Sequence, residues 1–145
     1  MAQDIKKIIA QEYLKCAKDP AYFMKKYCYI QHPTRGRILF NLYPFQSEVL
    51  HLFKDNQFII TLKSRQLGIS TLAAAYSLWL MLFHKDKNVL ALATTQATAR
   101  NLVTKVQFMW ENLPSWLKVD AAENNKLSTL LLLPASDARN IPLCV

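Results

Sequence analysis

The chain has 145 residues, 52% of them apolar, which allows one modest domain with a hydrophobic core and excludes a disordered chain. Lys and Arg outnumber Asp and Glu by 18 to 10, and the resulting net charge of +8 favours a polyanionic partner such as nucleic acid or a nucleotide. Because the basic residues are scattered, an ordinary solvated surface explains the charge equally well.

The N-terminal region predicts two helices before a turn-rich break. Apolar residues recur at three- and four-residue intervals from Ile5 to Cys16, which is the pattern of an amphipathic helix. Asp19 and Pro20 then favour a capped start for a second helix, which is expected to run through Tyr27. A turn-rich break at 31–36 follows the second helix.

The middle of the chain predicts alternating strands and helices. Residues 37–41 favour a short strand or extended arm, and apolar spacing over 44–54 predicts a helix. The apolar run 58–62 is typical of a buried strand, and an apolar helix over 70–83 leads to a second apolar strand at 89–94. Strand, loop, helix and strand in this order make a βαβ unit, whose crossover would be right-handed.

The C-terminal part predicts one more helix and then loses its regular pattern. One apolar face follows the helical period over 96–112, and Pro114 stops the helix. Residues 129–133 favour a strand, but little in 134–145 would complete a sheet. We therefore expect an α/β fold that is incomplete.

A phosphate loop fits the segment between the predicted strand at 58–62 and the helix that follows. Such loops point successive backbone N–H groups at phosphate oxygens, at the positive end of a helix, and need a residue that tolerates a positive φ. Gly68, one of only two glycines in the chain, supplies that residue. Ser70 stands where a magnesium-binding hydroxyl belongs, and Thr71 adds a second hydroxyl. The pattern predicts a P-loop NTPase-type parallel sheet with flanking helices.

The lysine of the usual phosphate loop is missing. Ile69 occupies the position from which a lysine would reach the β- and γ-phosphates. Lys63 stands at the entrance of the loop instead, and its flexible stem could cross the loop to the same phosphates. The alternative is that Lys63 and Arg65 are solvated loop charges.

The segment 64–71 resembles the Walker A motif of the large terminase subunit of tailed bacteriophages, the ATPase that pumps DNA into the prohead. In that family the loop lysine precedes Ser or Thr or, in a deviant form, stands on the N-terminal side of the loop, as Lys63 does. The resemblance implies ATP and Mg²⁺ as cofactors, with Ser70 as the Mg²⁺ ligand, and Arg65 as a catalytic residue that stabilises charge on the γ-phosphate. The loop residues that it implies in nucleotide binding are Lys63, Ser64, Gln66, Leu67, Gly68, Ile69, Ser70 and Thr71.

A second segment extends the resemblance upstream of the loop. Residues 42–46 are similar to the adenine-recognition segment of the family, which implies that Tyr43 stacks on the base. The Gln46 amide would read the edge of the base, because an amide offers both a donor and an acceptor. As an alternative, Tyr43 and Phe45 are core aromatics at a helix entrance, and for Phe45 we expect that role.

A third segment extends the resemblance downstream. Residues 89–113 are similar to the strand and helix that face DNA, or couple the nucleotide site to it, in related translocases. The polar residues at 94–96 could therefore donate to DNA phosphates, although they also suit ordinary helix capping. The resemblance implies double-stranded DNA, the portal protein and the small terminase subunit as partners, and a ring-forming homo-oligomer for a full-length protein.

Hydrolysis in this class needs a second motif, an apolar strand that ends in Asp-Glu. The only late apolar run, 130–133, meets Pro134 instead, and the nuclease domain of the family would lie further downstream. We therefore expect the front part of a terminase large subunit with negligible turnover on its own. Its expected regions are a helical lead-in at 1–42, a partial P-loop ATPase core at 43–128 and a divergent or truncated tail at 129–145.

Location follows from simpler features of the sequence. Cys16, Cys28 and Cys144 fit no metal-ligand or redox spacing, which favours a reduced intracellular setting. The start of the chain has no secretory signal pattern, and its most apolar segment is shorter than the roughly 20 residues that cross a bilayer. We expect the host cytoplasm and no membrane. A helicase-like nucleic-acid translocase and a non-enzymatic basic nucleic-acid-binding module stay open as alternatives.

Overall fold

Helices and short strands alternate along the chain in the computed structural model, which describes residues 2–84, 87–118, 121–124, 128–131 and 141–144. The helices in these ranges are α1 (Ala2–Lys18), α2 (Pro20–Tyr27), α3 (Pro44–Asp55), α4 (Ile69–Phe83) and α5 (Gln96–Glu111). The strands in the same ranges are β1 (Tyr29–His32), β2 (Gly36–Leu39), β3 (Val89–Leu90), β4 (Ala121–Asn124), β5 (Ser128–Leu131) and β6 (Ile141–Cys144).

The predicted helices are confirmed close to their predicted bounds, because local capping signals fix where they begin. The Asp19 carboxylate accepts a hydrogen bond from the Ala21 N–H at 2.8 Å, and Pro20 opens α2. Thr95 caps α5 by accepting from the Thr98 N–H at 3.3 Å. These caps satisfy N–H groups that a helix start leaves without an intrahelical partner.

The hydrophobic core is built around α4, which packs against α5, α2 and α3. Its sequence is apolar on nearly every side, as expected of a helix enclosed by neighbours. The largest fully buried core side chains are Phe23, Met24, Leu50, Leu72, Leu78, Met81, Val103 and Met109. Each such side chain contributes about 1.5–3 kcal/mol by leaving water. Within the ranges given above, no helix is both long and apolar enough to cross a membrane.

Trp79 joins α1 to the middle of this core. Its side chain is buried, and its indole N–H donates to the backbone carbonyl of Cys16 at 2.8 Å. The ring lies 5.5 Å from that of Tyr76 and 4.5 Å from that of His84. Because a buried carbonyl needs a donor, this hydrogen bond fixes the end of α1, and the indole ring fills space in the core.

A hairpin of β1 and β2 covers one side of α5. The strands pair antiparallel from Tyr29 opposite Leu39 to His32 opposite Gly36. Gly36 has φ +68°, a conformation that favours glycine. The sequence predicted a break followed by a short strand here, so β2 is confirmed and β1 was missed.

The remaining strands form a four-stranded sheet in the order β3-β6-β5-β4. β3 pairs with β6 in parallel, whereas β6 with β5 and β5 with β4 are antiparallel. The chain is therefore a mixed helix and strand fold. Ile141–Cys144 lies inside this sheet, although the sequence predicted little there that would extend one, and the described strands do not form a parallel sheet of the P-loop type.

The predicted buried strand at 58–62 is wrong in this structure. The segment is irregular, with Phe58 86% exposed and Ile60 and Leu62 100% exposed. No described strand pairs with it, and of its apolar side chains only Ile59 is half-buried among the described residues.

A cluster around Glu12 fastens α1 to α2. One oxygen of its carboxylate accepts from the Lys26 ammonium, from the Tyr22 hydroxyl at 2.6 Å and from the Tyr27 hydroxyl at 2.8 Å. These donors, Lys26 first, lower the pKa of Glu12 from 4.5 to about 2. The folded state therefore favours the ionised carboxylate.

Glu12→Gln is expected to lower the free energy of unfolding at neutral pH, because it removes the charge that these donors bind. Because folding lowers the pKa of Glu12, its ionised carboxylate stabilises the folded state at pH values above the unfolded-state pKa of 4.5. This stabilisation is lost as the pH falls towards the folded-state pKa of about 2. Urea unfolding of the wild type and the variant at neutral and acidic pH measures the difference. Glu48→Gln, on the exposed side of α3, is the control. A difference for Glu12→Gln that stayed constant with pH would contradict the prediction.

Candidate functional site

The segment before α4 makes the turn that a phosphate loop requires. Gly68 is the N-cap of α4 with φ +71° and ψ 9°, the left-handed conformation predicted for it. Gln66, two residues earlier, also has a positive φ of 64°, which is uncommon for a residue with a side chain. The first helical hydrogen bond runs from the Leu72 N–H to the Gly68 carbonyl at 2.9 Å. The N–H groups of residues 69–71 thus stand at the positive end of α4, where an anion fits.

Gln46 ties the start of α3 to this loop. Its carbonyl oxygen accepts from the Tyr43 N–H at 3.1 Å, and its amide nitrogen donates to the Leu67 carbonyl at 3.0 Å. The side chain is only 2% exposed. It therefore positions the loop, and its amide keeps one N–H and one lone pair beyond these bonds. The predicted reading of the adenine edge stays a prediction.

Tyr43 offers an aromatic surface next to this connection. It is exposed, and its ring stacks on that of Phe45 with centroids 5.7 Å apart and planes at 7°. Phe45, expected in the core, instead lies at the surface beneath Tyr43. Two parallel rings form a platform on which a planar base can stack, because offset stacking of aromatic faces is favourable.

A cavity of about 560 Å³ joins these predicted residues. Its volume is within the range of about 300–1,000 Å³ that is usual for small-molecule sites. The residues of the predicted site that line it are Tyr43, Gln46, Gln66, Leu67, Gly68 and Thr71. The fold therefore brings the predicted base segment and the predicted loop to one cleft. Of the other predicted residues, Ser70 lines a separate cavity.

The hairpin contributes residues to this cavity that sequence reasoning missed. His32, at the end of β1, and Arg35, in the turn before β2, line it. The N–H groups of Thr34 and Arg35 donate to His32 Nδ1 at 3.2 and 3.3 Å. Nδ1 is thus the acceptor of both bonds, which holds the ring against the turn. The only signal for these two residues in the sequence was that a His and an Arg stand three residues apart in a turn-rich segment.

The two basic residues predicted in the loop are exposed. The Lys63 ammonium donates to the neighbouring Ser64 carbonyl at 3.2 Å, and Arg65 lies in the turn that follows. Neither lines the cavity that contains Gly68. Their predicted roles at the phosphates stay predictions.

A third basic residue lies close to the loop. The Lys105 ammonium, on α5, is 3.3 Å from the hydroxyl oxygen of Thr71 in a partly buried contact. Lys105 lines a cavity of about 380 Å³ together with Ser70, and another of about 270 Å³ together with Thr71. Sequence reasoning did not single it out, because only the packing of α5 on α4 brings it to the loop.

The helix start at 94–96 is explained by capping. Besides its bond to the Thr98 N–H, the Thr95 hydroxyl lies 2.9 Å from that of Thr98. The predicted contact with DNA phosphates stays a prediction, since Thr94 to Gln96 are exposed.

The site therefore combines an aromatic platform, an amide link and a loop at a helix N-terminus. No protein-family model matches the chain. What the site can bind must be argued from these groups: a ligand with a planar base at one end and phosphates at the other matches both ends of the cleft.

Proposed function

We propose that this chain is the ATP-binding front part of a phage DNA-packaging ATPase of the terminase large-subunit type. The observation that supports it best is the bond from Gln46 to Leu67, which holds the base segment and the Gly68 turn at one cavity. The two segments that resemble the family are thus neighbours in space although they are well separated in sequence.

The residues present fit a nucleotide with Mg²⁺. Tyr43, stacked on Phe45, would hold the adenine base, and the N–H groups of residues 69–71 would bind the phosphates at the start of α4. Ser70 is at the second helical position and supplies a hydroxyl of the kind that binds Mg²⁺. Lys63 and Arg65 are exposed on the N-terminal side of the loop, from which they would turn towards the phosphates of a bound nucleotide. Mg²⁺, when bound, neutralises charge on the phosphates.

The apolar segment 58–62 supports the idea of a larger sheet. A strand that precedes a phosphate loop is normally central in a parallel sheet and covered on both faces. We infer that this segment pairs within a P-loop NTPase-type sheet whose other strands belong to the rest of the ATPase. In that assembly the acidic residues for hydrolysis come from elsewhere, and double-stranded DNA, the portal protein, the small subunit and further copies in a ring are the partners.

Titration of the 145-residue chain with ATP and Mg²⁺ tests the nucleotide site. Lys63→Ala is expected to weaken ATP binding about ten- to a hundredfold, because a charge-assisted contact to phosphate contributes about 1.5–3 kcal/mol. Lys25→Ala, which removes the same charge from the exposed side of α2, is the matched control and should bind as the wild type does. Isothermal calorimetry measures each affinity.

Two results would count against the proposal. A wild-type chain that binds no ATP would favour the non-enzymatic basic module. Equal weakening by Lys63→Ala and Lys25→Ala would mean that binding follows net charge rather than the loop.

A further inference from the structure

We propose that Lys105 on α5 is a phosphate-binding residue of this site and replaces the lysine that the loop lacks at Ile69. The proposal rests on the proposed function, because it needs a nucleotide in the cleft. It adds a basic residue of α5 to Lys63 and Arg65 in the loop and to Arg35 in the hairpin turn.

The first argument is electrostatic. The Lys105 ammonium lies against Thr71, the third residue of α4, and therefore next to the positive end of that helix. A cation at a helix N-terminus is unfavourable unless a negative charge compensates it. Neither α4 nor α5 has an acidic residue in its first turn, and Lys105 forms no ion pair with any residue that the structure describes. A bound phosphate would supply the negative charge that both groups favour.

The second argument is space. Cavities of about 380 and 270 Å³ lie beside Ser70 and Thr71, and Lys105 lines both. The ammonium can thus leave the Thr71 hydroxyl without displacing packed side chains. By contrast, the Lys63 ammonium is exposed and bonds to the adjacent Ser64 carbonyl.

The third argument is the exchange of partners. The Thr71 hydroxyl is a neutral acceptor, whereas a phosphate oxygen carries negative charge and therefore attracts the ammonium more strongly. The flexible stem of lysine allows its ammonium to move from Thr71 to a phosphate oxygen nearby.

The test compares ATP with AMP, which has a single phosphate, on the full chain in the presence of Mg²⁺. Lys105→Met is expected to weaken ATP binding about tenfold or more, and AMP binding much less, because the lost contact is to the outer phosphates. Lys105→Arg should retain most of the ATP affinity. Lys118→Met removes a lysine that lies over the Trp110 ring and lines none of these cavities, so it is the matched control.

Thermal unfolding separates binding from folding. If Lys105→Met does not fold, Lys105→Gln takes its place, because it keeps a polar group beside Thr71. Unchanged ATP affinity in a folded Lys105 variant would overturn this inference alone and leave the nucleotide site in place. Equal losses for ATP and AMP would also overturn it, since they indicate a structural role. A wild-type chain without affinity for either nucleotide would overturn both proposals.

Discussion

Gly68→Ala is expected to remove most of the affinity of the chain for ATP and to destabilise the fold. Gly68 has φ +71°, and a left-handed conformation costs a residue with a side chain about 1–2 kcal/mol. In addition, a Cβ atom at this position would lie 2.8 Å from the amide nitrogen of Gln46. Since that nitrogen donates to the Leu67 carbonyl, relief of the clash would break the bond that holds the loop.

The chain provides its own control for backbone strain. Gly36 has nearly the same φ, +68°, but a Cβ atom there would meet nothing within 4 Å. Gly36→Ala should therefore show the strain alone, about 1–2 kcal/mol in urea unfolding, with nucleotide affinity close to that of the wild type. Gly68→Ala should lower both the free energy of unfolding and the ATP affinity by more than Gly36→Ala does. Equal effects of the two substitutions on ATP affinity would contradict the role given to Gln46.

Trp79→Ala is expected to be the most destabilising single change outside the loop. Truncation of a buried aromatic side chain costs about 3–5 kcal/mol through lost burial and the cavity left behind. Here it also removes the donor to the Cys16 carbonyl, so that the end of α1 loses its attachment to α4. Urea unfolding followed by circular dichroism measures the change, because the fluorescence of the remaining tryptophans would differ between variants.

Trp79→Phe divides this effect into its parts. The phenyl ring keeps much of the buried area but leaves the Cys16 carbonyl without its donor, which should cost about 1–3 kcal/mol. A loss from Trp79→Ala of only about 1 kcal/mol would contradict the central position of this residue, since that is the usual size for an ordinary site.

The helices could be predicted because the signals that define them are local. Asp19 and Thr95 each cap a helix through an N–H no more than three residues away. The apolar face over 96–112 is likewise readable from spacing alone: Val106, Met109 and Leu113 are buried as that spacing predicted, whereas Leu102 is half-buried. Such features depend on neighbours within one or two turns, so a sequence contains them.

The strand at 58–62 could not be predicted correctly, because burial of a strand depends on residues far away in the chain. Its apolar composition favours a buried strand, but none of the described strands pairs with it. β1 was missed for the related reason that its pairing with β2 is only evident once the turn at Gly36 is formed.

The candidate site likewise contains residues that the sequence could predict and residues that it could not. Gly68 was predictable, because few residues adopt a positive φ at a helix start and the chain has only two glycines. Lys105 was not, because 34 positions separate it from Thr71 in the sequence and only the packing of α5 on α4 joins them. His32 reached the cleft in a similar manner, through the hairpin.

The loop is held at one end only. Towards α4, Gly68 and Leu67 are fixed by the first helical bond and by Gln46. On the other side, residues 58–66 form no backbone–backbone hydrogen bond with another described residue. Ordering each backbone residue costs about 1–2 kcal/mol in conformational entropy. A ligand that orders residues 58–66 on binding therefore binds less tightly than its contacts alone would allow. A neighbouring strand paired with residues 58–62 would order this segment before the ligand binds. The loop would then bind its ligand more tightly, although it would make no new contact with the ligand.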